Sequence, residues 1–241
     1  MSEVRIESVP TTAVVGEPAS NILLVPGRAA FLPPSRTLLV ADLHLGKAAT
    51  FRRAGIPVPE GSAQRDLERL ALLVREHDVR RLVVLGDLFH AKSGCTPQVF
   101  DEFAALRARM ADTEVVLVLG NHDRAVGRLP ASLGIDACLP SLDEPPFHFV
   151  HEPATGVAGP DRHLFTVAGH LHPTVSIRSP SGDRLADRCF VAEPSVLVLP
   201  AFGSFTGGHR IESTEGMRLW IARDDGVVDV TRIVAASAKR R

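Results

Sequence analysis

The chain contains a series of short, nearly unbroken apolar runs, and most of them end at a glycine or a cluster of polar residues. The runs are rich in valine and leucine and cover residues 37–41, 82–85, 115–119, 147–150, 164–168 and 196–199. Segments of this length and composition are typical of strands that are buried on both faces of a sheet. The pattern therefore favours a fold in which sheets lie inside and are covered on both sides.

Two segments between these runs have the periodicity of amphipathic helices. The apolar stripe of the first, residues 62–77, consists of Leu67, Leu70, Ala71 and Val74. Ser62 is the expected N-cap of this helix. The second covers residues 97–110, with Thr96 as the expected N-cap and Pro97 at the first helical position, where a missing N–H costs nothing.

The order of these elements predicts an α/β fold. Strands and helices alternate up to about residue 120, as in βαβ units, whereas the second half has more short strands and more proline and glycine. The end of the chain predicts a hairpin of residues 217–222 and 227–234 around a glycine-containing turn. Because no linker or repeat divides the chain, we expect a single domain, residues 1–241, with two sheets packed face to face and flanked by helices.

The composition sets further bounds on the protein. The chain has 241 residues, of which 45% are apolar, and a formal net charge of −1, so no bulk positive field attracts nucleic acid. Its three cysteines have no pairing pattern, which favours a reducing compartment. The sequence has neither a signal-peptide pattern nor an apolar stretch long enough to cross a bilayer, so we expect a cytoplasmic protein.

Five polar clusters follow the predicted strands in order. They are Asp42-Leu43-His44, Gly86-Asp87, Gly120-Asn121-His122-Asp123, His151 and Gly169-His170-Leu171-His172. Ligands in open α/β sheets bind beyond the carboxyl ends of the strands, so the clusters should share one rim. Their aspartate, asparagine and histidine side chains are sufficient for two divalent metal ions, which would clamp a phosphate ester for attack by water.

Each cluster alone is weak evidence, since short Asp-x-His and Gly-Asp motifs are common in turns and caps; the joint order is the strong signal. His148 competes with His151, but strand alternation puts the two on opposite faces. The strand-end position favours His151 as the ligand and leaves His148 as a packed or edge residue. His90 is either a loop histidine or a contact for substrate phosphate.

From Asp42 to His172 the motifs resemble the calcineurin-like metallophosphoesterase superfamily. This resemblance implies an αββα sandwich and the following ligands. The first metal would be held by Asp42, His44, Asp87 and His172, and the second by Asp87, Asn121, His151 and His170. Asp87 would bridge the ions, and His122 would stabilise charge or protonate the leaving oxygen. Asp123 would orient His122 through its other ring nitrogen.

Residues 42–57 and 199–208 resemble a narrower group, the ligase-associated DNA-damage-response endonucleases. That resemblance implies a bacterial, manganese-dependent phosphodiesterase that cuts DNA alongside a helicase and a DNA ligase, and the expected substrate is single-stranded or hairpin DNA. Ligand chemistry alone would also allow zinc or iron.

The same segments contain side chains suited to a nucleic acid. Lys47, Arg52 and Arg53 are expected either to contact flanking phosphates or to form ordinary surface ion pairs. Phe51, with Phe202 or Phe205, either stacks on unpaired bases or belongs to the core. The alternatives to a nuclease are a phosphoesterase for small molecules such as nucleotides or cyclic nucleotides, and a non-catalytic scaffold, against which the intact ligand set argues.

Overall fold

The structure, a computed structural model, describes residues 13–15, 21–58, 61–153, 164–178 and 184–238. These residues form sixteen strands and five α-helices. The strands are β1 (Ala13–Val15), β2 (Ile22–Val25), β3 (Ala29–Leu32), β4 (Thr37–Val40), β5 (Arg81–Leu85), β6 (Glu114–Val118), β7 (Ala137–Leu139), β8 (Leu142–Glu144), β9 (Phe147–Phe149), β10 (Phe165–Ala168), β11 (Pro173–Arg178), β12 (Arg184–Glu193), β13 (Val196–Val198), β14 (His209–Arg210), β15 (Arg218–Ala222) and β16 (Val227–Asp229). The helices are α1 (Lys47–Arg53), α2 (Ser62–Glu76), α3 (Pro97–Arg109), α4 (Asn121–Val126) and α5 (Thr231–Ala238).

The first sheet contains β1 to β7 in the order of the chain. Strands β1 to β4 pair antiparallel, and β4 to β7 pair parallel. Along β4 and just beyond it, Leu38 and Val40 face one core cluster, whereas Leu39 and Ala41 face another. This alternation between two buried faces explains why the strand is apolar without interruption.

The second sheet has the order β14-β11-β12-β13-β10-β9-β8, with β15 and β16 attached to β12. Its neighbours β9, β10 and β13 run parallel, so their carboxyl ends lie at the same edge. Phe149, Phe190 and Trp220 of this sheet pack against Leu39 and Val118 of the first sheet. These contacts form the core between the two sheets.

Helices cover the outer faces of the two sheets. Leu70 of α2 and Phe103 of α3 are fully buried against the outer face of the first sheet. Val234 of α5 joins the apolar cluster on the outer face of the second sheet, together with Cys189 and Ile221. The result is the predicted α/β sandwich of two sheets between helices.

The predicted strands and helices are present in the structure with two local differences, at Ser62 and in the final hairpin, whereas β1 to β3, α1 and α4 are among the elements that were not predicted. Thr96 caps α3 as predicted, since its hydroxyl accepts the backbone N–H of Val99. Ser62 is not an N-cap: α2 begins at Ser62 after Gly61, whose φ of 84° lies in the left-handed region. The helix α1 was not predicted, because none of its side chains is buried and it has no apolar stripe.

The final hairpin is shorter than predicted. Strand β16 ends at Asp229, and the segment expected to continue as a strand to residue 234 forms α5 instead. The carboxylate of Asp229 accepts the backbone N–H of Thr231, and Val230 and Val234 are both buried, which is the spacing of a helix. Within the described segments, no helix has the length and apolarity needed to traverse a lipid bilayer.

Candidate metal centre

The ends of five strands bring the predicted ligand residues to one rim of the two-sheet sandwich. The first sheet provides Asp42 and His44 after β4, Asp87 after β5 and Asn121 after β6; the second provides His151 after β9 and His170 and His172 after β10. Both sheets therefore contribute to one cluster. This arrangement follows from the parallel pairing of β4, β5 and β6 and of β9 and β10.

Five of these residues have left-handed backbone conformations. The φ angles are 56° for Asp42, 50° for His44, 52° for Asp87, 70° for His170 and 46° for His172. Asp and His are enriched among non-glycine residues in this region, although the conformation still costs free energy. Strands β4, β5 and β10 thus end in sharp backbone turns at their ligand residues.

One half of the cluster consists of Asp42, His44 and His172. The Nε2 atoms of His44 and His172 are 3.2 Å apart, and His172 Nε2 lies 3.2 Å from Oδ1 of Asp42. Asp42 is fully buried, and its Oδ1 accepts no well-aligned hydrogen bond from the described residues despite the nearby His172. A buried, unpartnered carboxylate oxygen is costly unless a positive charge faces it.

The other half centres on His151. Its Nε2 lies 3.0 Å from Asn121 Oδ1 and 3.1 Å from His170 Nδ1. Its Nδ1–H donates to the carbonyl of Leu85 at 2.9 Å, so Nε2 is the nitrogen that offers its lone pair to the cluster in the neutral tautomer. A backbone acceptor that fixes the tautomer in this way is the usual partner of a metal-binding histidine.

Asp87 lies between the two halves. Its Oδ2 is 3.8 Å from His44 Nε2 and 3.5 Å from His151 Nε2. Its Oδ1 accepts the backbone N–H of His122 at 2.9 Å. Burial raises the pKa of Asp87, and the neighbouring Asp42 adds to the rise. Asp42 and Asp87 are both buried, so the negative charge of each disfavours ionisation of the other, and bound cations would relieve that penalty.

Burial also affects the imidazoles of this rim. It lowers the pKa of His44 to about 2, with His172 and Lys47 contributing, and that of His90 to about 4. His44 is therefore neutral, the state in which imidazole binds metal. The imidazoles, two carboxylates and an amide oxygen that share this space are a donor set that fits divalent cations.

Two glycines allow the ligands to approach the backbone closely. A Cβ at Gly86 would lie 2.2 Å from His151 Nδ1, and one at Gly120 would lie 2.1 Å from Asp87 Oδ1. Neither distance is sterically possible. The two glycines are thus required for packing of the ligands as well as for the turn at Gly86, where φ is 76°.

The structure corrects the expected partner of His122. The Nδ1–H of His122 donates to the backbone carbonyl of His90, and its Nε2 is 3.9 Å from Asp87 Oδ2. The prediction that Asp123 orients the ring is therefore wrong. The buried carboxylate of Asp123 instead accepts the backbone N–H groups of Phe89 and Gly120, each at 3.1 Å, because it points back into the turn.

The other predicted histidines occupy different places. The ring of His90 stacks on His122, with centroids 4.8 Å apart, and its Nδ1 lies 3.4 Å from His44 Nδ1, so it borders the cluster. His148 points away from the cluster, and its Nδ1 bonds to Asp143 on the neighbouring strand. The structure thus separates His148 from the ligand set and places His151 within it.

The predicted substrate contacts lie on α1, beside the cluster. Lys47 and Arg52 line a cavity of about 380 Å³ that also reaches His44. Arg53 is exposed, and its guanidinium donates to the carbonyl of Ser93. Phe202 is fully buried in the core, so of the two phenylalanines proposed as partners of Phe51 for base stacking, it is excluded.

Sequence reasoning missed the residues that hold the 199–206 segment against the metal rim. The backbone N–H groups of Phe202 and Gly203 donate to the carbonyls of Ala41 and Asp42. Asp66, 3% exposed, accepts both the backbone N–H and the hydroxyl of Ser204. The sequence did contain an indication of a buried role for Asp66, because this charged residue stands four positions before Leu70, on the apolar stripe of α2.

Arg188 supports the same segment from β12. Its Nη2 donates to the carbonyls of Gly203, Ser204 and Thr206 at 3.1, 2.9 and 2.8 Å. Burial, together with the charge of Arg28, lowers the pKa of Arg188 to about 10. Nothing in the strand pattern distinguished this arginine from a solvated one.

The chain is similar to one known protein family and to solved structures. A family model described as calcineurin-like phosphoesterase matches residues 35–203. The crystal structure of Pseudomonas putida nuclease MPE is 34% identical, covers 92% of this chain and 98% of its own, and superposes with a TM-score of 0.71. The E. coli phosphoesterase Yfce is 15% identical over 80% of this chain and 96% of its own, with a TM-score of 0.42. No curated protein matches the sequence.

Proposed function

The chain belongs to the calcineurin-like phosphoesterase family and is a metal-dependent phosphoesterase, and from this we propose that it is a binuclear phosphodiesterase that cuts DNA. The observation that best supports two ions is the position of Asp87 Oδ2, 3.8 Å from His44 Nε2 and 3.5 Å from His151 Nε2. A carboxylate oxygen between two groups of ligands is suited to bridging a pair of cations.

We assign four ligands to each ion, with Asp87 shared. The first set is Asp42, His44, Asp87 and His172, and the second is Asp87, Asn121, His151 and His170. When bound, such ions polarise the phosphoryl oxygens and activate water at neutral pH. Manganese is the proposed metal on the family resemblance, and iron or zinc would also suit this mixture of ligands.

His122 is the proposed proton donor to the leaving oxygen. The carbonyl of His90 holds the Nδ1 proton, so Nε2 is the atom that can exchange a proton with substrate. The side chain remains 35% exposed, which leaves that nitrogen accessible to a bound ester. Asp123 acts only indirectly in this scheme, by fixing the backbone turn that bears His122.

Lys47, Arg52 and His90 are the proposed contacts for phosphates on either side of the scissile bond, and Arg53 contributes charge from the exposed end of α1. DNA is the proposed substrate because the chain is similar over most of its length to the Pseudomonas putida nuclease. The finer proposal is a bacterial, cytoplasmic repair nuclease for single-stranded or hairpin DNA, acting with a helicase and a DNA ligase as one domain of residues 1–241.

The test is cleavage of single-stranded and hairpin DNA by the purified protein with added Mn²⁺. An Asp87→Asn variant is the control, since asparagine keeps the side-chain shape and tolerates the left-handed backbone while removing the bridging charge. Bis-p-nitrophenyl phosphate is assayed in parallel as a small diester.

Cleavage of DNA by the wild type and not by Asp87→Asn would support the proposal. Hydrolysis of the small diester without cleavage of any DNA would overturn the nuclease assignment and favour a small-molecule phosphoesterase. DNA cleavage that persists in Asp87→Asn with unchanged metal content would overturn the bridging role.

A further inference from the structure

A row of four rings runs outward from the proposed metal centre. The ring of His90 stacks on that of His122 at 4.8 Å, Phe51 follows at 6.4 Å from His90, and Phe205 lies 5.6 Å from Phe51 in an edge-to-face contact. We call these four residues the aromatic row. It connects the proposed proton donor to the 199–206 segment without interruption.

Core packing does not account for the outer half of this row. None of the side chains of α1, which bears Phe51, is buried, and Phe51 and Phe205 are both only half-buried. In contrast, Phe89, Phe103 and Phe202 are fully buried. Two aromatic rings that are partly open to solvent next to a catalytic rim are available to a ligand.

Hydrogen bonds hold the segments on both sides of these rings in place. Arg53 ties the end of α1 to the carbonyl of Ser93, and Arg188 holds the carbonyls on both sides of Phe205. A platform fixed on both sides needs little ordering when a ligand binds, which favours affinity.

The charge around the rings suits a phosphodiester chain. Helix α1 contributes Lys47, Arg52 and Arg53 and has no acidic residue. Phe205 lines the cavity of about 380 Å³ that also contacts His44, Lys47 and Arg52. Two acidic residues reach this cavity: Asp66, which is paired with Arg69, and Glu102, which accepts the side-chain amide of Gln98. The volume lies within the range of ligand pockets, about 300–1,000 Å³.

We propose that Phe51 and Phe205 form a stacking subsite for an unpaired base next to the scissile phosphate, with Lys47 and Arg52 contacting the adjoining backbone. The proposal rests on the nuclease function and deepens it, because it identifies residues that select strandedness. Aromatic side chains stack on any base through its π-face, so the subsite favours unpaired strands without sequence preference. A base within a duplex has both faces covered and cannot enter.

The test is binding of single-stranded DNA by the metal-loaded protein, measured by fluorescence anisotropy with Ca²⁺ in place of Mn²⁺ and with the length of the probe checked on a gel after each measurement. The two probes are an oligothymidylate and an abasic strand of the same length, which keeps the phosphates and lacks the bases. The proteins are the wild type, Phe51→Ala, Phe51→Leu and Phe205→Ala. Ile56→Ala is the matched control, since Ile56 is 49% exposed just after α1 and lies outside the aromatic row.

Stacking predicts that Phe51→Ala and Phe205→Ala each weaken oligothymidylate binding roughly 5- to 150-fold, with little change for the abasic strand. Phe51→Leu should resemble Phe51→Ala, because leucine keeps apolar bulk and lacks a ring. Ile56→Ala should match the wild type on both probes.

Equal losses on the two probes, no loss in the alanine variants, or no DNA binding by the wild type would each overturn the subsite. These results are distinguishable from failure of the nuclease proposal. Base-dependent binding without DNA cleavage in Mn²⁺ would retain the subsite and reject the nuclease. Cleavage of DNA together with unchanged DNA binding in the alanine variants would retain the nuclease and reject the subsite.

Discussion

Replacing Asp66 by alanine should destabilise the protein strongly, although Asp66 is not a proposed ligand. The carboxylate accepts the backbone N–H of Ser204 at 2.7 Å, the hydroxyl of the same residue, and Arg69 Nη2 at 2.9 Å. The carboxylate is 4% exposed, and the side chain of Arg69 is 14% exposed. The variant would thus leave two donors of Ser204 and a nearly buried guanidinium without their anion.

The size of the effect follows from these contacts. Removing one partner of a buried ion pair costs about 3–5 kcal/mol, and hydrogen bonds to a charged acceptor contribute about 1.5–3 kcal/mol each, but the terms overlap. Because Arg69 keeps its bond to the carbonyl of Phe202, we expect the lower part of this range, about 3 kcal/mol in the free energy of unfolding. Urea denaturation of the metal-free protein measures this directly.

Asp224→Ala is the matched control for Asp66→Ala. Asp224 faces the same arginine, 4.0 Å from Arg69, and also Arg28 at 3.4 Å, but its side chain is 64% exposed. An exposed pair of this kind contributes about 0–1 kcal/mol. The reasoning would be refuted if Asp66→Ala lost no more stability than Asp224→Ala. If hydrogen exchange at the Gly203 amide is faster in Asp66→Ala than in the wild type, the loss of stability lies in the 199–206 segment.

Three further outcomes are expected. His122→Ala should keep both metals, measured by metal analysis, while slowing esters with poor leaving groups most; equal slowing of activated esters would contradict the general-acid role. Arg52→Ala combined with Arg53→Ala should reduce DNA cleavage more than hydrolysis of a small diester, and the DNA rate should depend less steeply on salt, whereas an unchanged salt slope would remove both residues from the DNA surface. Gly86→Ala should lower metal affinity roughly tenfold or more, because the new methyl would displace His151; unchanged affinity would show that the turn can adjust.

Sequence periodicity was sufficient to place the strands and helices whose residue pattern directly reflects their burial in the fold. The strands β4, β5 and β6 are buried on both faces, so their runs are uniformly apolar, and each ends at a polar residue that turns toward the rim. Thr96 and Pro97 marked the start of α3 because capping depends on neighbours in the chain.

The features that were missed depend on contacts between distant residues. Asp66 and Ser204 are 138 positions apart, so no local pattern connects them. Asp123 was given the wrong partner for a related reason: its carboxylate could face either the neighbouring ring or the backbone of Phe89, and only the turn between them decides. Helix α1 was missed because it lies on the surface and has no buried face to produce a period.

The left-handed backbone of the rim has a practical consequence for the choice of inactive variants. Asp and His are among the non-glycine residues that tolerate this conformation best, so alanine at Asp42, His44 or Asp87 would delete the ligand and also weaken the local preference for the turn. A loss of activity in such a variant could then be due either to the missing ligand or to a disturbed fold. Asparagine or glycine adopts this conformation more readily, so either one separates the two effects and is the better substitution for trapping intact substrate on a folded enzyme.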